Sequence, residues 1–289
     1  MDNRPIGIFD SGLGGLTCVP YLMSALPNEE IIYFGDTART PYGSKAVSTI
    51  RAFSQEIAGF LVENDVKMIV IACNTISSTC LDDLRKSFPG VPILGIISPA
   101  ARKVANNCNA ENHVGIIGTR ATIHSNAYRK KIQAMQGTAV IFQRACPAFV
   151  PLIEEGIIQS EIMDLTIKHY LDAFITENRV DTLILGCTHY PLIRKNIESI
   201  YPGLMIIDPS EEILKSIMES LDINDLHADP GIGEHTFYAS DLSENFVRMV
   251  DRIFEESEFD IVIKSINLDR RQMKLAAQTS SDAAKNTQD

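Results

Sequence analysis

Short apolar runs recur along the chain, and longer segments with helical periodicity separate them. Eight runs have the length and β-branched content of a buried parallel strand. They are Ile6 to Phe9, Ile31 to Phe34, Met68 to Ala72, Ile93 to Ile97, Val114 to Ile117, Ala139 to Phe142, Thr182 to Leu185 and Met205 to Ile207. The apolar residues between Ile50 and Leu61 and between Ile162 and Ile175 have the spacing of amphipathic helices. This alternation predicts an α/β fold of βαβ units with parallel sheets.

Two pairs of these runs resemble each other. The run containing Gly7 resembles the one containing Gly115, at an offset of 108 residues. The run that ends at Cys73 resembles the one that ends at Cys187, at an offset of 114 residues. Similar offsets indicate a duplicated α/β lobe. If the lobes face each other about a pseudo-twofold axis, Cys73 and Cys187 meet across the cleft.

The chain beyond Asp208 adds a helical pattern, a strand at Thr236 to Ala239 and a strongly periodic helix between Phe246 and Phe254. This region could complete the first lobe. We therefore expect two pseudosymmetric parallel-sheet α/β lobes with the active site in the cleft between them. The expected boundaries are 1–97 plus 210–268 for a discontinuous first lobe, 98–209 for the second lobe, and 269–289 for a polar C-terminal tail.

Composition and charge narrow the class of protein. A length of 289 residues is comfortable for two lobes, and 45% hydrophobic residues supply their cores. A net charge of −11 without a cluster of Lys and Arg argues against nucleic-acid binding. No signal-peptide apolar region and no run of membrane-spanning length is found. We expect a cytoplasmic protein with a small-molecule substrate and no membrane association.

The cysteines carry the strongest chemical signal. The six are scattered, with neither a C-x-x-C pair nor zinc spacing, so we expect free thiols and no metal. Cys73 ends an apolar strand and is followed by Asn74 and Thr75, and Cys187 is placed likewise before Thr188. A thiol at a helix N-terminus has a lowered pKa, which makes it reactive. One such cysteine is more often a packing residue, but two at equivalent places predict a functional pair.

The symmetry of the pair points to a reaction class. A cysteine hydrolase needs one nucleophilic thiol with one histidine base. Two equivalent thiols suit a reaction that removes a proton from one face of a carbon and adds one to the other, which is racemisation or epimerisation. The glycine-rich segment from Asp10 to Gly15 either presents backbone N–H groups to an anion or forms a tight strand-to-helix turn.

Five segments, in this order, resemble the glutamate racemases. They are Ile8 to Thr17, Phe34 to Gly43, Ala72 to Thr75, Pro151 to Gly156 and Gly186 to Leu192. The resemblance covers about residues 5 to 210. It implies the aspartate/glutamate racemase fold and interconversion of L- and D-glutamate without pyridoxal phosphate, metal or other cofactor. It also implies supply of D-glutamate for peptidoglycan, and it leaves open a homodimer and activation by a peptidoglycan precursor.

Carried over residue by residue, the resemblance makes Cys73 and Cys187 the catalytic pair. It makes Asp10 the helper of Cys73 and His189 the helper of Cys187, and it places Glu154 near the first thiol. The implied substrate contacts are Asp10, Ser11, Tyr42, Gly43, Asn74, Thr75, Thr119, Thr188 and His189. Asp36 and Arg39 are candidates for a salt bridge that holds the Tyr42 loop.

Three alternatives remain at this point. An aspartate racemase or related two-cysteine enzyme would share both thiols and differ in the loops that measure side-chain length. A thiol hydrolase would use one cysteine. A ligand-binding protein with two lobes would use neither.

Overall fold

The computed structural model describes residues 1–231, 235–254, 261–266 and 268. The predicted polar tail, 269–289, lies outside the described residues. The strands are β1 (Ile6–Asp10), β2 (Ile31–Gly35), β3 (Met68–Ile71), β4 (Ile93–Gly95), β5 (His113–Gly118), β6 (Val140–Ala145), β7 (Thr182–Gly186), β8 (Met205–Ile207), β9 (His235–Ala239) and β10 (Ile261–Ser265).

Helices connect the strands. The α-helices are α1 (Val19–Ala25), α2 (Val47–Glu63), α3 (Asn74–Thr79), α4 (Leu81–Ser87), α5 (Ile97–Asn107), α6 (Arg120–Ser125), α7 (Ala127–Ala134), α8 (Phe149–Glu154), α9 (Glu161–Asn178), α10 (Arg194–Ile200), α11 (Pro209–Asn224) and α12 (Glu244–Phe254). Short 3₁₀ helices span Gly14–Cys18, Thr37–Arg39, Tyr42–Ser44 and Tyr190–Ile193. None of the helices in the described part of the chain is long and apolar enough to cross a membrane.

The strands form two parallel sheets. One has the order β10-β9-β2-β1-β3-β4, and the other has the order β6-β5-β7-β8. Every described pairing is parallel. The predicted α/β class is therefore confirmed, and each of the eight predicted runs contains a strand. The prediction at Ile93 to Ile97 is too long, because β4 ends at Gly95 and Ile97 already begins α5.

The duplication extends to the strand register. The order β2-β1-β3-β4 in the first sheet corresponds to β6-β5-β7-β8 in the second. Gly7 of β1 lies opposite Ile69 of β3, and Gly115 of β5 lies opposite Leu183 of β7. These are the residues that the sequence repeat aligns. Since the carboxyl ends of parallel strands are where α/β proteins place their ligands, the two cysteines that follow β3 and β7 occupy equivalent, site-forming positions.

The apolar face predicted for helix α9 is buried only in part. Ile162 and Leu165 are 56% and 58% exposed, whereas Met163 and Ile167 are fully buried. The buried set continues at Leu171, so it follows the i, i+4, i+8 spacing of one helix face. Ile162 and Leu165 lie off that face, so the apolar spacing predicted from Ile162 to Ile175 matches the buried face at Leu171 and Phe174 but not at its start.

Candidate active site

Both cysteines lie in one cleft. Cys73 is 4% exposed and follows β3, and Cys187 is 6% exposed and follows β7. Of the residues implied by the resemblance, those that line this cleft are Ser11, Tyr42, Gly43, Cys73, Asn74, Thr75, Thr119, Cys187, Thr188 and His189. The lining also includes Thr40, Pro41 and Val150, which sequence reasoning did not select.

Cys73 is held as a neutral thiol. Its Sγ donates to the hydroxyl oxygen of Ser11 at 3.3 Å. Burial raises the pKa of Cys73, and the charge of Asp10 raises it further. Together they outweigh the stabilisation that Ser11 and the backbone N–H of Ile76 would give to the thiolate. The predicted lowering at the start of α3 is therefore wrong for Cys73. The physical reason is that desolvation of the thiolate outweighs what the first turn of a six-residue helix provides.

Asp10 lies at the last position of β1 and is fully buried. Its Oδ2 accepts the backbone N–H of Gly12 at 2.9 Å, and its Oδ1 accepts the hydroxyl of Thr188 at 3.2 Å. Burial raises the pKa of Asp10, against the opposing charge of His189 and these hydrogen bonds. The glycine-rich segment therefore forms a strand-to-helix turn whose N–H group at Gly12 binds a carboxyl of the protein itself.

His189 connects Cys187 to Glu154. Its Nδ1 lies 3.9 Å from Sγ of Cys187, and its Nε2 donates to Oε1 of Glu154 at 3.0 Å. Burial lowers the pKa of His189, but the hydrogen bonds to Cys187 and Glu154 outweigh it and raise that pKa to about 10. The imidazole is therefore protonated at neutral pH. Glu154 was predicted to lie near Cys73, but it contacts His189, which lies beside Cys187.

The placement of Glu154 follows from helix geometry. It is the last residue of α8, four positions after Val150, which lines the cleft. Residues four apart share one face of a helix. The short sequence Pro151 to Gly156 contains two adjacent glutamates, and only the fold shows that Glu154 is the one that reaches His189 while Glu155 is exposed.

Glycines allow the lobes to approach each other at two points in the cleft. A Cβ on Gly14 would lie 2.4 Å from Nδ1 of His189 and 2.4 Å from Oγ1 of Thr188. A Cβ on Gly43 would lie 2.6 Å from Cβ of Thr119. Real Cβ atoms do not make contacts this short, so a larger residue at either position must shift the facing side chains of the opposite lobe.

The carboxylate of Asp36 holds the Tyr42 loop in place. The hydroxyl of Tyr42 donates to Asp36, and Nε of Arg39 lies 2.8 Å from Oδ2 of the same carboxylate. Ser240 donates to the other oxygen, Oδ1, at 2.7 Å. The expected salt bridge between Asp36 and Arg39 is confirmed. Because the hydroxyl of Tyr42 is engaged by Asp36, this segment offers the cleft mainly the backbone groups of Tyr42 and Gly43.

Three threonine hydroxyls form a cluster across the lobes. Oγ1 of Thr75 lies 3.0 Å from Oγ1 of Thr119 and 3.5 Å from Oγ1 of Thr122, and the latter two are 3.1 Å apart. Thr122 is 1% exposed and was not selected from the sequence. Its position three residues after Thr119, which caps α6, is the signal that could have found it.

Within the described residues, no group of three or more His, Cys, Asp and Glu side chains has a geometry that could hold a metal ion. The cleft instead presents two thiols, a protonated imidazole, a buried carboxyl and several hydroxyls. Such a set can donate and accept protons on two sides of a bound molecule and hydrogen-bond to its anionic groups.

Comparisons with known proteins agree on one family. The family model described as Asp/Glu/Hydantoin racemase matches residues 17–217. A glutamate racemase of Geobacter metallireducens is 41% identical over 269 residues, which cover 92% of this chain and 98% of the relative. The crystal structure of a glutamate racemase from Francisella tularensis in complex with D-glutamate has a TM-score of 0.86 and 40% identity, and the match covers 93% of this chain and 100% of that one.

A more distant structure extends the comparison. The Escherichia coli glutamate racemase in complex with L-glutamate and the activator UDP-MurNAc-Ala has a TM-score of 0.73 and 25% identity, over 91% of this chain and 98% of that one. Fold, paired thiols and sequence identity over nearly the whole chain thus lead to one conclusion: the chain belongs to the Asp/Glu/hydantoin racemase family and, within it, to the glutamate racemases.

Proposed function

We propose that this protein is an isomerase that interconverts L- and D-glutamate by two-base proton transfer between Cys73 and Cys187. The observation that carries the proposal is that a duplicated lobe places one buried thiol from each half in the same cleft. The 41% identity to a glutamate racemase over almost the whole chain supports glutamate as the substrate, in preference to aspartate. The product D-glutamate would supply peptidoglycan synthesis.

The charge states in the cleft suit one half of the reaction directly. An α-proton beside a carboxylate is very weakly acidic, so one base and one acid must be positioned on opposite faces of the carbon. A protonated His189 is a favourable neighbour for negative charge on Cys187, which acts as the base towards L-glutamate. Cys73, a neutral thiol, delivers a proton to the other face. In the reverse direction the two thiols exchange roles.

The remaining residues have supporting roles in the proposal. Asp10 assists Cys73, while His189, held by Glu154, assists Cys187. Hydroxyl and backbone N–H groups bind the two carboxylates and the charge that develops on the carbanion. We assign the substrate contacts to Asp10, Ser11, Tyr42, Gly43, Asn74, Thr75, Thr119, Thr188 and His189, and all of them except Asp10 line the cleft. Thr122 does not line it and supports Thr75 and Thr119 through its hydroxyl.

The membership of the strands in the two sheets supports the proposed lobe boundaries, with 1–97 plus 210–268 in the first lobe and 98–209 in the second, since β9 and β10 lie in the sheet of β1. Six free, buried cysteines suit the reducing cytoplasm. The activator in the E. coli structure supports a peptidoglycan precursor as a regulator here. Homodimer formation stays a prediction.

Circular dichroism of L-glutamate incubated with the purified protein, without added cofactor, tests the activity. We expect the signal to decay to zero, because the enantiomers have equal free energy. A decay with L-aspartate and none with L-glutamate would assign the protein to the aspartate racemases. Release of ammonia from glutamine by a variant lacking one of the two cysteines would favour the thiol hydrolase.

A further inference from the structure

Tyr128 joins the lobes beside the first thiol. It lies on α7 and is 1% exposed, and its hydroxyl donates to Oδ1 of Asn74 at 2.5 Å. Asn74 begins α3, directly after Cys73, and is 3% exposed. The hydrogen bond therefore runs from a helix of the second lobe to the residue next to Cys73 in the first.

The other arm of the Asn74 side chain has no partner. Nδ2 of Asn74 is buried and makes no hydrogen bond to any described residue. A buried donor without an acceptor is destabilising, and native proteins rarely retain one without a reason. Asn74 lines the cleft together with Ser11 and Thr75, so an acceptor that enters the cleft could satisfy this donor.

Tyr128 determines which end of the Asn74 carboxamide has no partner. A carboxamide is planar, with its acceptor and its donor on opposite arms, so a hydroxyl that donates to Oδ1 directs Nδ2 away from the tyrosine. Burial raises the pKa of Tyr128 well above its ordinary value, and the charges of Asp208 and Cys187 add to the effect. The hydroxyl thus stays protonated, and its single proton is committed to Asn74.

We propose that Tyr128 is a positioning residue that holds the Asn74 carboxamide with Nδ2 directed at a carboxylate of the bound substrate. The inference rests on the proposed function, since it takes glutamate as the ligand. Tyr128 itself does not line the cleft, and its effect on the substrate passes through Asn74.

Tyr128→Phe removes the hydroxyl and keeps the buried ring. Asn74 is then free to turn, so we expect KM for both enantiomers to rise about 10-fold with kcat changed less than about threefold, because a carboxylate contact is made in the ground state and the transition state alike. Tyr201→Phe is the matched control, because it removes a hydroxyl hydrogen bond of the same 2.5 Å length, to Asp172 at the surface. We expect the control to leave KM unchanged.

A double-mutant cycle separates positioning from a merely structural role. Asn74→Ala should raise KM at least as much as Tyr128→Phe, and adding Tyr128→Phe to it should change KM no further. An unchanged KM in folded Tyr128→Phe, or an equal further loss in the Asn74→Ala background, would overturn the inference.

Asn74→Asp gives an independent test should Tyr128→Phe not fold. Aspartate retains an acceptor for Tyr128 but replaces the donor with a negative oxygen, so KM should rise about 100-fold or more, because a like-charged contact replaces a charge-assisted hydrogen bond. A KM within about threefold of wild type would refute the role of Nδ2. Calorimetric titration with D-glutamate measures the weaker binding of each variant as a higher Kd. The inference can therefore be tested even if the wild type binds glutamate without racemising it.

Discussion

Nε2 of His189 lies 3.0 Å from Oε1 of Glu154, and the opposite ring nitrogen lies 3.9 Å from Sγ of Cys187. The imidazole therefore lies between a carboxylate and a thiol inside a cleft, with its side chain 5% exposed. Glu154 contributes, together with Cys187, to the raised pKa of His189, although it does not line the cleft. Glu154, at the end of α8, is therefore linked to Cys187 through the imidazole of His189.

Replacing Glu154 with Gln should lower the pKa of His189 from about 10, because the neutral amide stabilises the imidazolium less than a carboxylate does. We expect kcat/KM to fall about 10- to 100-fold, since a hydrogen bond to a charged group contributes about 1.5–3 kcal/mol. The alkaline limb of the pH profile should move to lower pH. Glu155→Gln, at the exposed neighbour, is the control. A profile that stays in place would show that Glu154 does not set the charge of His189.

Removing either catalytic thiol should nearly abolish racemisation. Cys73→Ala and Cys187→Ala each delete one acid/base group, whose loss typically costs about 10²–10⁴-fold. Cys80→Ala and Cys108→Ala, which alter buried cysteines outside the cleft lining, should retain near wild-type rates in the same circular dichroism assay. More than about a tenth of the activity in either catalytic variant would rule out the two-base scheme.

The thiols should also differ in the face that they serve. In a racemase kcat/KM must be equal in both directions, because the enantiomers have equal free energy, so sidedness has to be read from a partial reaction. In D₂O, Cys73→Ser should retain residual α-proton exchange only with L-glutamate, and Cys187→Ser only with D-glutamate. Proton NMR of the α-position measures both. If each variant exchanged both enantiomers, a one-base mechanism would replace ours.

Gly14→Ala should impair catalysis much more than folding. The added Cβ would lie 2.4 Å from Nδ1 of His189 and from Oγ1 of Thr188, so these two side chains, or the lobe that carries them, must shift. We expect kcat/KM to fall about 100-fold or more, since small misplacements of catalytic groups have effects of this size. Gly59→Ala is the matched control, because its nearest neighbour is Phe88 at 3.9 Å and alanine suits a helix interior. Equal activity of the two variants would contradict the tight lobe contact.

Asp208 should make the fold less stable as the pH rises. Burial raises its pKa from 3.8 to about 6, and its Oδ2 has no partner among the described residues. A carboxyl with a raised folded pKa contributes stability below 3.8 that is lost as the pH passes about 6. Asn caps a helix as well as Asp does. Asp208→Asn should therefore raise the free energy of unfolding by about 1–2 kcal/mol near pH 8 and have little effect near pH 4.

Urea unfolding at the two pH values measures this difference. Asp82→Asn, at an exposed position, is the control. An equal gain at both pH values would assign the effect to the cap of α11 and not to the charge of Asp208.

The fold was largely predictable because its central strands, β1, β3, β5 and β7, are buried on both faces. Each of the eight predicted runs contains a strand, since continuous apolar runs are the signature of a covered parallel sheet. Strand β10 was not predicted. It lies at the edge of its sheet, and none of its residues is fully buried. The other edge strands, β4, β6 and β8, were predicted, so edge position alone does not account for the omission of β10.

The cleft was predictable where the sequence repeats and less so where it does not. The equivalent positions of Cys73 and Cys187 indicated a shared site before any geometry was known. Glu154 was assigned to Cys73, whereas in the fold it hydrogen-bonds to His189, and the sequence of α8 does not show which side chain its last residue contacts. The sign of the pKa change at Cys73 was also missed, since a helix start can be recognised from sequence whereas the depth of burial cannot.

The thiol of Cys73 donates a hydrogen bond to Ser11, and the residue is only 4% exposed. Peroxides attack thiolates in preference to thiols, and they attack those that they can reach. In the proposed mechanism, oxidation of either sulfur would stop racemisation, because each turnover needs one thiol as the acid and the other as the base. The burial that raises the pKa of this thiol therefore also protects it from oxidative damage whenever it holds its proton.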